Sequence, residues 1–211
     1  VGARAETVTE DASAVRQLEN SSETSPFEND YFQIYPSAFV TYNPSDKNAY
    51  QMSASRRVDR PGLQQVNPIR EWSTPLISSF GNTNLQPQFT NSVEVNYTRK
   101  FENGTLTGGV FYRLIEDEIN RAVFIDRLDL NKNILTYDNF ENTTAFGFEI
   151  SSNYKPTKWW SLNGSFDLYG RRQKGIVETL TAPTDIATVN DIERSTIEVN
   201  NIVYNFRLFN N

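Results

Sequence analysis

The chain has 211 residues, a formal net charge of −6, no cysteine and no histidine. That length builds one domain with a core, and the acidic balance excludes the basic footprint that a nucleic-acid partner needs. Without Cys or His there are no disulfides, no thiolate nucleophiles and no imidazole ligands or bases, so no catalytic residue, metal or cofactor is assigned and an enzyme is not expected.

Mean hydropathy is −0.57 and no apolar run is long enough for a membrane-crossing helix. A membrane-crossing strand needs only ~9–11 residues with alternate positions apolar, so its hydropathy signal is weak. The sequence opens inside a strand-like stretch, VGARAET, without an initiator Met or a leader pattern. It reads as part of a longer protein.

Period-two alternation predicts eight strands. The first spans 1–8, with Val1, Ala3 and Ala5 opposite Gly2, Arg4 and Glu6. The second spans 31–43, with Phe32, Ile34, Ala38, Val40 and Tyr42 on one side. In the third, 48–60, Tyr50, Met52, Ala54 and Val58 oppose Gln51, Ser53, Ser55, Arg57 and Asp59. The fourth, 91–101, sets Val93, Val95, Tyr97 and Phe101 against Glu94, Asn96, Thr98 and Lys100. Strand five, 105–119, carries Leu106, Val110, Tyr112 and Leu114 opposite Thr107, Gly109 and Arg113.

Strands six and seven are written in FGFEISSNYKPTKWWSLNGSFDLYG, residues 146–170. Phe146, Phe148, Ile150 and Tyr154 alternate with Gly147, Glu149, Ser151 and Asn153, and Trp160, Leu162, Phe166 and Leu168 alternate with Ser161, Asn163, Ser165 and Asp167. The eighth strand covers about 196–209, with Ile202, Tyr204, Phe206 and Leu208 on its apolar side. Within 121–140, AVFID and ILTYD are read as a possible extension of strands five and six into one long hairpin. No segment reads as an amphipathic helix.

Connections alternate in length. PSDK at 44–47, ENG at 102–104 and KPTK at 155–158 are short; 9–30, 61–90, 121–142 and 171–195 are long and polar. A meander with short turns at one rim and long loops at the other is the pattern of outer-membrane barrels. Tyr42 and Tyr50 flank the first short turn, Tyr97 and Phe101 the second, and Tyr154, Trp159 and Trp160 the third. Rings gathered at one height suit a membrane interface. The second face carries Arg4, Glu6, Arg57, Glu94, Arg113, Glu149 and Asp167, as a hydrated lumen with internally paired charges does. The alternative on the residues alone is a soluble or surface-exposed β-sandwich binding glycan or protein, whose apolar face packs on a second sheet.

PSAF at 36–39, SRRVDRPG at 55–62, NP at 67–68, GNTNLQPQ at 81–88 and FYRLIEDEI at 111–119 resemble the barrel of TonB-dependent outer-membrane receptors, most closely the Bacteroidetes-type group of SusC-like relatives. The resemblance runs collinearly over about 1–210. It implies an all-β, antiparallel, up-and-down wall segment of a larger barrel of roughly 22 strands, with residues 1–211 part of one barrel domain. Plug and signal peptide lie outside this chain. It further implies uptake of a bulky nutrient (oligosaccharide, peptide or metal chelate), with outer-membrane lipid and the TonB protein as partners, TonB acting through regions outside this chain. A surface lipoprotein lid, and service in secretion or assembly instead of uptake, stay open.

Individual motifs carry less. Arg56 falls on the apolar parity near the loop rim and is expected to snorkel to lipid phosphate, while Pro61 ends the strand. Trp72 and Phe80, with Arg70, are the loop residues nominated for ligand contact. The acidic 9–30 stretch matches no calcium loop, and neighbouring carboxylates in Ile115–Glu118 point to opposite faces of a strand and do not form a glycosidase pair. The NxS/T tripeptides are composition.

Overall fold

A computed structural model describes residues 1–18, 21–69 and 72–210. Its strands are β1 (Gly2–Leu18), β2 (Ser21–Ser45), β3 (Asn48–Asp59), β4 (Trp72–Ser73), β5 (Ile77–Ser79), β6 (Gln88–Phe101), β7 (Gly104–Glu116), β8 (Glu118–Ile125), β9 (Asn133–Phe140), β10 (Thr143–Thr157), β11 (Trp160–Leu180) and β12 (Ile192–Asn210), with a one-turn helix α1 at Leu63–Val66. Eight of them form an antiparallel sheet in the order β1-β2-β3-β6-β7-β10-β11-β12. Every neighbour is next in chain order once the short strands of the connections are set aside, which makes the sheet the meander expected from the alternation.

Register keeps the two faces separate. Antiparallel partners project to the same side, so Val40, Met52, Val95, Val110, Phe148, Leu168 and Tyr204 form one continuous row across the sheet. The next row is Ala38, Ala54, Val93, Tyr112, Phe146, Gly170 and Ile202, and the one beyond it is mostly polar, with Arg56, Asn91, Thr144, Arg172 and Asn200 around Leu114. A slip of one residue in any pair would invert a strand's faces; none occurs between these rows. Nothing covers the apolar rows: Phe146 is 64% exposed and Ile202 79%. The sandwich alternative is therefore set aside, because among the described residues no second sheet lies on this face.

The short turns step along the sheet. Asn48, at the first turn, pairs with Arg99, and the second turn closes farther down the strand at Phe101 and Gly104. Gly104 pairs with Tyr154, and the third closes beyond it at Thr157 and Trp160, around Lys158 and Trp159 and not across the whole KPTK run. Such a progressive offset is the stagger that tilted barrel strands require.

Two long connections are shorter than expected. Residues 9–30 are mostly ladder, since β1 and β2 stay paired from Gly2 and Ser37 up to Leu18 and Ser21. Likewise β11 and β12 pair from Leu162 and Asn210 up to Leu180 and Ile192. Apolar alternation reports a strand with hydrocarbon on one face; where both faces are wet the ladder continues without it.

The 121–140 region is the hairpin extension, with a bend. Asp117 adopts φ 54°, which breaks the continuity of β7 into β8. The β8–β9 pair then leaves the wall and joins β4 and β5 in a separate sheet, with β5 and β9 parallel. Asn139 fixes the bend, its amide donating to the carbonyls of Asp117 and Gln86 at 2.8 and 2.9 Å. Buried Glu118 pins β8 to the wall by accepting from Thr143 Oγ1 at 2.6 Å, from Gln173 Nε2 at 3.1 Å and from Arg171.

The non-apolar face carries an aromatic pair at its centre. Phe111 and Tyr169 meet at 5.9 Å between centroids above their shared neighbour Gly147, where an added Cβ would come within 2.3 Å of Tyr169. Among the described residues, β1 and β12 each pair on one side only, so the sheet does not close on itself.

Phe148→Arg places a guanidinium in the middle apolar row. It is expected to cost ~2–4 kcal/mol of folding into phospholipid vesicles, while Ser151→Arg on the opposite face leaves the urea midpoint nearly unchanged. Equal effects in urea titrations of the refolded variants would contradict the assignment of faces.

Candidate functional site

The aromatic residues nominated at the short-turn rim lie together on the apolar face. Tyr42 faces Tyr50 at 6.4 Å, Tyr50 faces Tyr97 at 4.9 Å, and Trp159 stacks on Trp160 at 6.3 Å. Phe101 and Tyr154 are also exposed. Tyr97 donates its hydroxyl to Asn48 Oδ1 at 2.7 Å and Trp160 donates Nε1–H to Asn210 at 2.5 Å. Tyr97 and Trp160 thus combine an apolar ring on the exposed face with a hydrogen-bonded polar tip.

The nominated charges share the other face. Glu94 pairs with Arg113 at 3.2 Å, and Arg113 also lies 4.4 Å from the Phe111 centroid. Arg4 bonds Glu6, which also receives Arg60 at 2.6 Å. Pairing is incomplete, however: Glu149 stands directly across from Asp167, which accepts from Asn205 Nδ2 at 3.3 Å, and Arg57 has no ion-pair partner among the described residues. Arg56 behaves differently from its expectation. Its Nη1 donates to Glu116 at 2.7 Å and to Asn91 at 2.9 Å, with the guanidinium 4.5 Å from the Phe89 centroid, so the chain itself neutralises it.

Of the loop residues nominated for ligand contact, Arg70 and the side chain of Trp72 lie outside the described residues. Phe80 lines a cavity of about 420 Å³ between the 80–83 segment, one face of the β8–β9 hairpin and the outer ends of β11 and β12. The 80–83 segment is clamped from behind. Gly81 N–H donates to the Asn67 carbonyl at 2.7 Å and Asn82 N–H to the Gln65 carbonyl at 2.7 Å, so closely that a Cβ on Gly81 would lie 2.5 Å from Gln65 O. Phe80 N–H donates to the Leu135 carbonyl at 3.3 Å, which joins the segment to β9.

Opposite stand Phe124, Ile134 and Thr136 from β8 and β9, with Arg127, Glu178 and Arg194. Arg127 grips both oxygens of Glu178 at 2.6 Å, and Glu178 also accepts the Ile125 amide at 3.0 Å. Arg127's hydrogen bonds hold the Glu178 carboxyl below its ordinary range against the opposing effect of burial. Arg194 donates to Asp138 at 2.9 Å and lies 5.3 Å from the Phe124 centroid. Of the residues that line this cavity, sequence reasoning singled out Phe80 and not Phe124, Arg127, Thr136, Glu178 or Arg194. They lie far apart in the chain, and only the ILTYD alternation hinted that Ile134 and Thr136 share a face.

An antiparallel meander with an uncovered apolar face, an aromatic rim at short staggered turns and a charged opposite face defines the wall of a membrane-spanning β-barrel. The chain belongs to the outer membrane protein beta-barrel family, whose model matches residues 1–211. It is thus an outer-membrane β-barrel protein. Among solved structures, it is similar to the siderophore receptor PirA from Pseudomonas aeruginosa, at 14% identity and a TM-score of 0.55 over 98% of this chain and 41% of that one. It is also similar to a mutant of the ferric enterobactin receptor PfeA from the same organism, at 12% identity and a TM-score of 0.50 over 82% of this chain and 30% of that one. The chain therefore spans less than half the length of these receptors, and at such identities the likeness is one of fold. No curated protein matches the sequence.

A depressed carboxylate stabilises the fold above its ordinary value and loses that contribution as pH falls through its value in the folded state. The Arg127–Glu178 grip is thus expected to hold at neutral pH and to loosen only below the ordinary glutamate value of 4.5. Glu178→Gln should speed hydrogen exchange at the Ile125 amide at pH 7 and remove its acid dependence; unchanged exchange would show that Glu178 does not tie β8 down.

Proposed function

We propose that the chain is part of the wall and loops of a TonB-dependent receptor that carries a bulky solute across the outer membrane. The observation that carries this reading is the contrast between the two faces of one sheet: apolar rows left bare, and charged and amide side chains opposite. A pore large enough for a solute needs such a wetted inner face, and a barrel needs more strands than one open sheet supplies. On this reading residues 1–211 belong to a single larger barrel, with plug and TonB-contacting segment elsewhere in the protein. Lipid covers the Tyr42, Tyr50, Tyr97, Phe101, Tyr154, Trp159 and Trp160 girdle, and Arg4, Glu6, Arg57, Glu94, Arg113, Glu149 and Asp167 line the passage.

The solved relatives are described as receptors for a siderophore and for ferric enterobactin, which supports uptake as the type of activity. Oligosaccharide, peptide and metal chelate remain the candidate classes. Membership of a SusC-like branch, and with it a lipoprotein lid, rests on the PSAF, SRRVDRPG, NP, GNTNLQPQ and FYRLIEDEI phrases.

Cells lacking the parent protein should fail to grow when one such nutrient is the sole source of carbon, nitrogen or metal, and loss of TonB should give the same defect. Normal growth on that nutrient in cells that keep the protein but lack TonB, or accumulation of a product normally exported, would overturn the uptake reading.

A further inference from the structure

The short-turn rim holds a charge imbalance that the barrel wall alone does not require. Segments 44–48, 99–104 and 154–160 contain Lys47, Arg99, Lys100, Lys155 and Lys158 against Asp46 and Glu102, a net +3 in a chain whose total is −6. All seven residues are exposed. None of the five cations forms an ion pair among the described residues, whereas nine cations elsewhere in the sheet and loops do. We propose that the cleft between the second and third short turns binds the phosphate headgroup of an anionic phospholipid, with the acyl chains on the aromatic rim beside it. The inference rests on the lipid-facing assignment of the apolar face and not on uptake.

Backbone bonds set the spacing of the lysines. Lys100 N–H donates to the Lys47 carbonyl at 2.7 Å and Lys155 N–H to the Asn103 carbonyl at 2.6 Å, so the three turns hold one another and their cations stay at one level. Between the second and third turns lies a cleft of about 570 Å³ lined in part by Lys100, Lys155 and Lys158, a volume within the range of small-molecule sites. Glu102 is the single carboxylate in its lining, which leaves two positive charges uncompensated. Lysine serves phosphate as a point charge with several donors.

The neighbouring rings narrow the anion to a lipid. Phe101, 42% exposed on the apolar face, lines the same cleft. Arg99 lies on the apolar side of its strand between Tyr97 and Phe101, directly opposite Leu106, and Trp159 follows Lys158 in the third turn and stacks on Trp160. Cations interleaved with rings suit the level at which headgroup meets hydrocarbon. A free phosphate would engage the lysines and leave the rings bare, and an acidic peptide would have no acyl chains to lay on them. Short turns are the periplasmic ends of outer-membrane strands, so the leaflet concerned is the inner one.

The test uses the parent protein purified from outer membranes in detergent, titrated with dioleoylphosphatidylglycerol or with dioleoylphosphatidylcholine as the zwitterionic counterpart, and read by native mass spectrometry as lipid retained. Phosphatidylglycerol should be preferred about tenfold or more. Lys155→Gln should weaken that preference about fivefold and Lys155→Arg should keep it. The triple variant Lys100→Gln, Lys155→Gln, Lys158→Gln should abolish it, with heat-modifiable gel migration confirming a folded barrel. Arg121→Gln, which removes an exposed cation from the β8–β9 hairpin, should change nothing. Equal retention of the two lipids, an undiminished preference in the folded triple variant, or displacement of the lipid by inorganic phosphate or polyglutamate at equal concentration would overturn the proposal, the last by assigning the cleft to a soluble anion. A protein that enters bilayers without any headgroup preference overturns this site alone; one that stays soluble without detergent overturns the membrane-wall assignment as well.

Discussion

Hydrocarbon offers no partner to a backbone N–H or C=O, so a strand that crosses it must find its hydrogen bonds in its neighbours. The described prolines obey that constraint. Pro36 sits in β2 just where pairing to β3, which starts at Ser37 and Ser55, has ended and only β1 remains alongside. Pro44 and Pro156 fall in the two register irregularities next to the short turns. Pro61 follows the end of β3, and Pro87 precedes the start of β6. None removes a donor from a two-sided stretch of ladder. With the ladder uninterrupted, period-two alternation fixes which side chains face lipid, and the apolar rows follow from it.

The same logic explains how far the sequence could be read. The alternation at Phe146 to Tyr154 and Trp160 to Leu168 exists because one face meets lipid, so strands were legible wherever that asymmetry held. Past the mostly polar row of Arg56, Asn91, Thr144, Arg172 and Asn200 the asymmetry disappears, and with it the signal: Glu10 and Asp11 pair with Asn29 and Glu28 in good ladder, yet read as an acidic loop. The bend at Asp117 was hidden for another reason. It depends on a left-handed backbone at a non-glycine residue, supported by Asn139 from the far side of the hairpin, and nothing local announces it. Arg56 shows the limit of parity reasoning; its face was legible, but its neutralisation by Glu116, 60 residues away, was not.

Charges on the inner face carry their own information about solvent. Glu94 and Arg113 form a pair, whereas Glu149 and Asp167 lie side by side with like sign. Two carboxyl side chains at neighbouring ladder positions suit a face in contact with water, as the proposed passage requires, and Phe148 and Leu168 pair one position along, on the opposite face.

Strand β11 joins the dry belt to the loop cavity. Along its length it presents Leu162, Phe166 and Leu168 to the apolar face, then Arg171 and Gln173 to buried Glu118, then Glu178 to Arg127 and the Ile125 amide. The β8–β9 hairpin is consequently held at both ends by one strand whose lower half is anchored in the membrane. Phe124, Ile134 and Thr136 sit on that hairpin, so the cavity walls inherit the rigidity of the barrel and not the mobility usual for long connections.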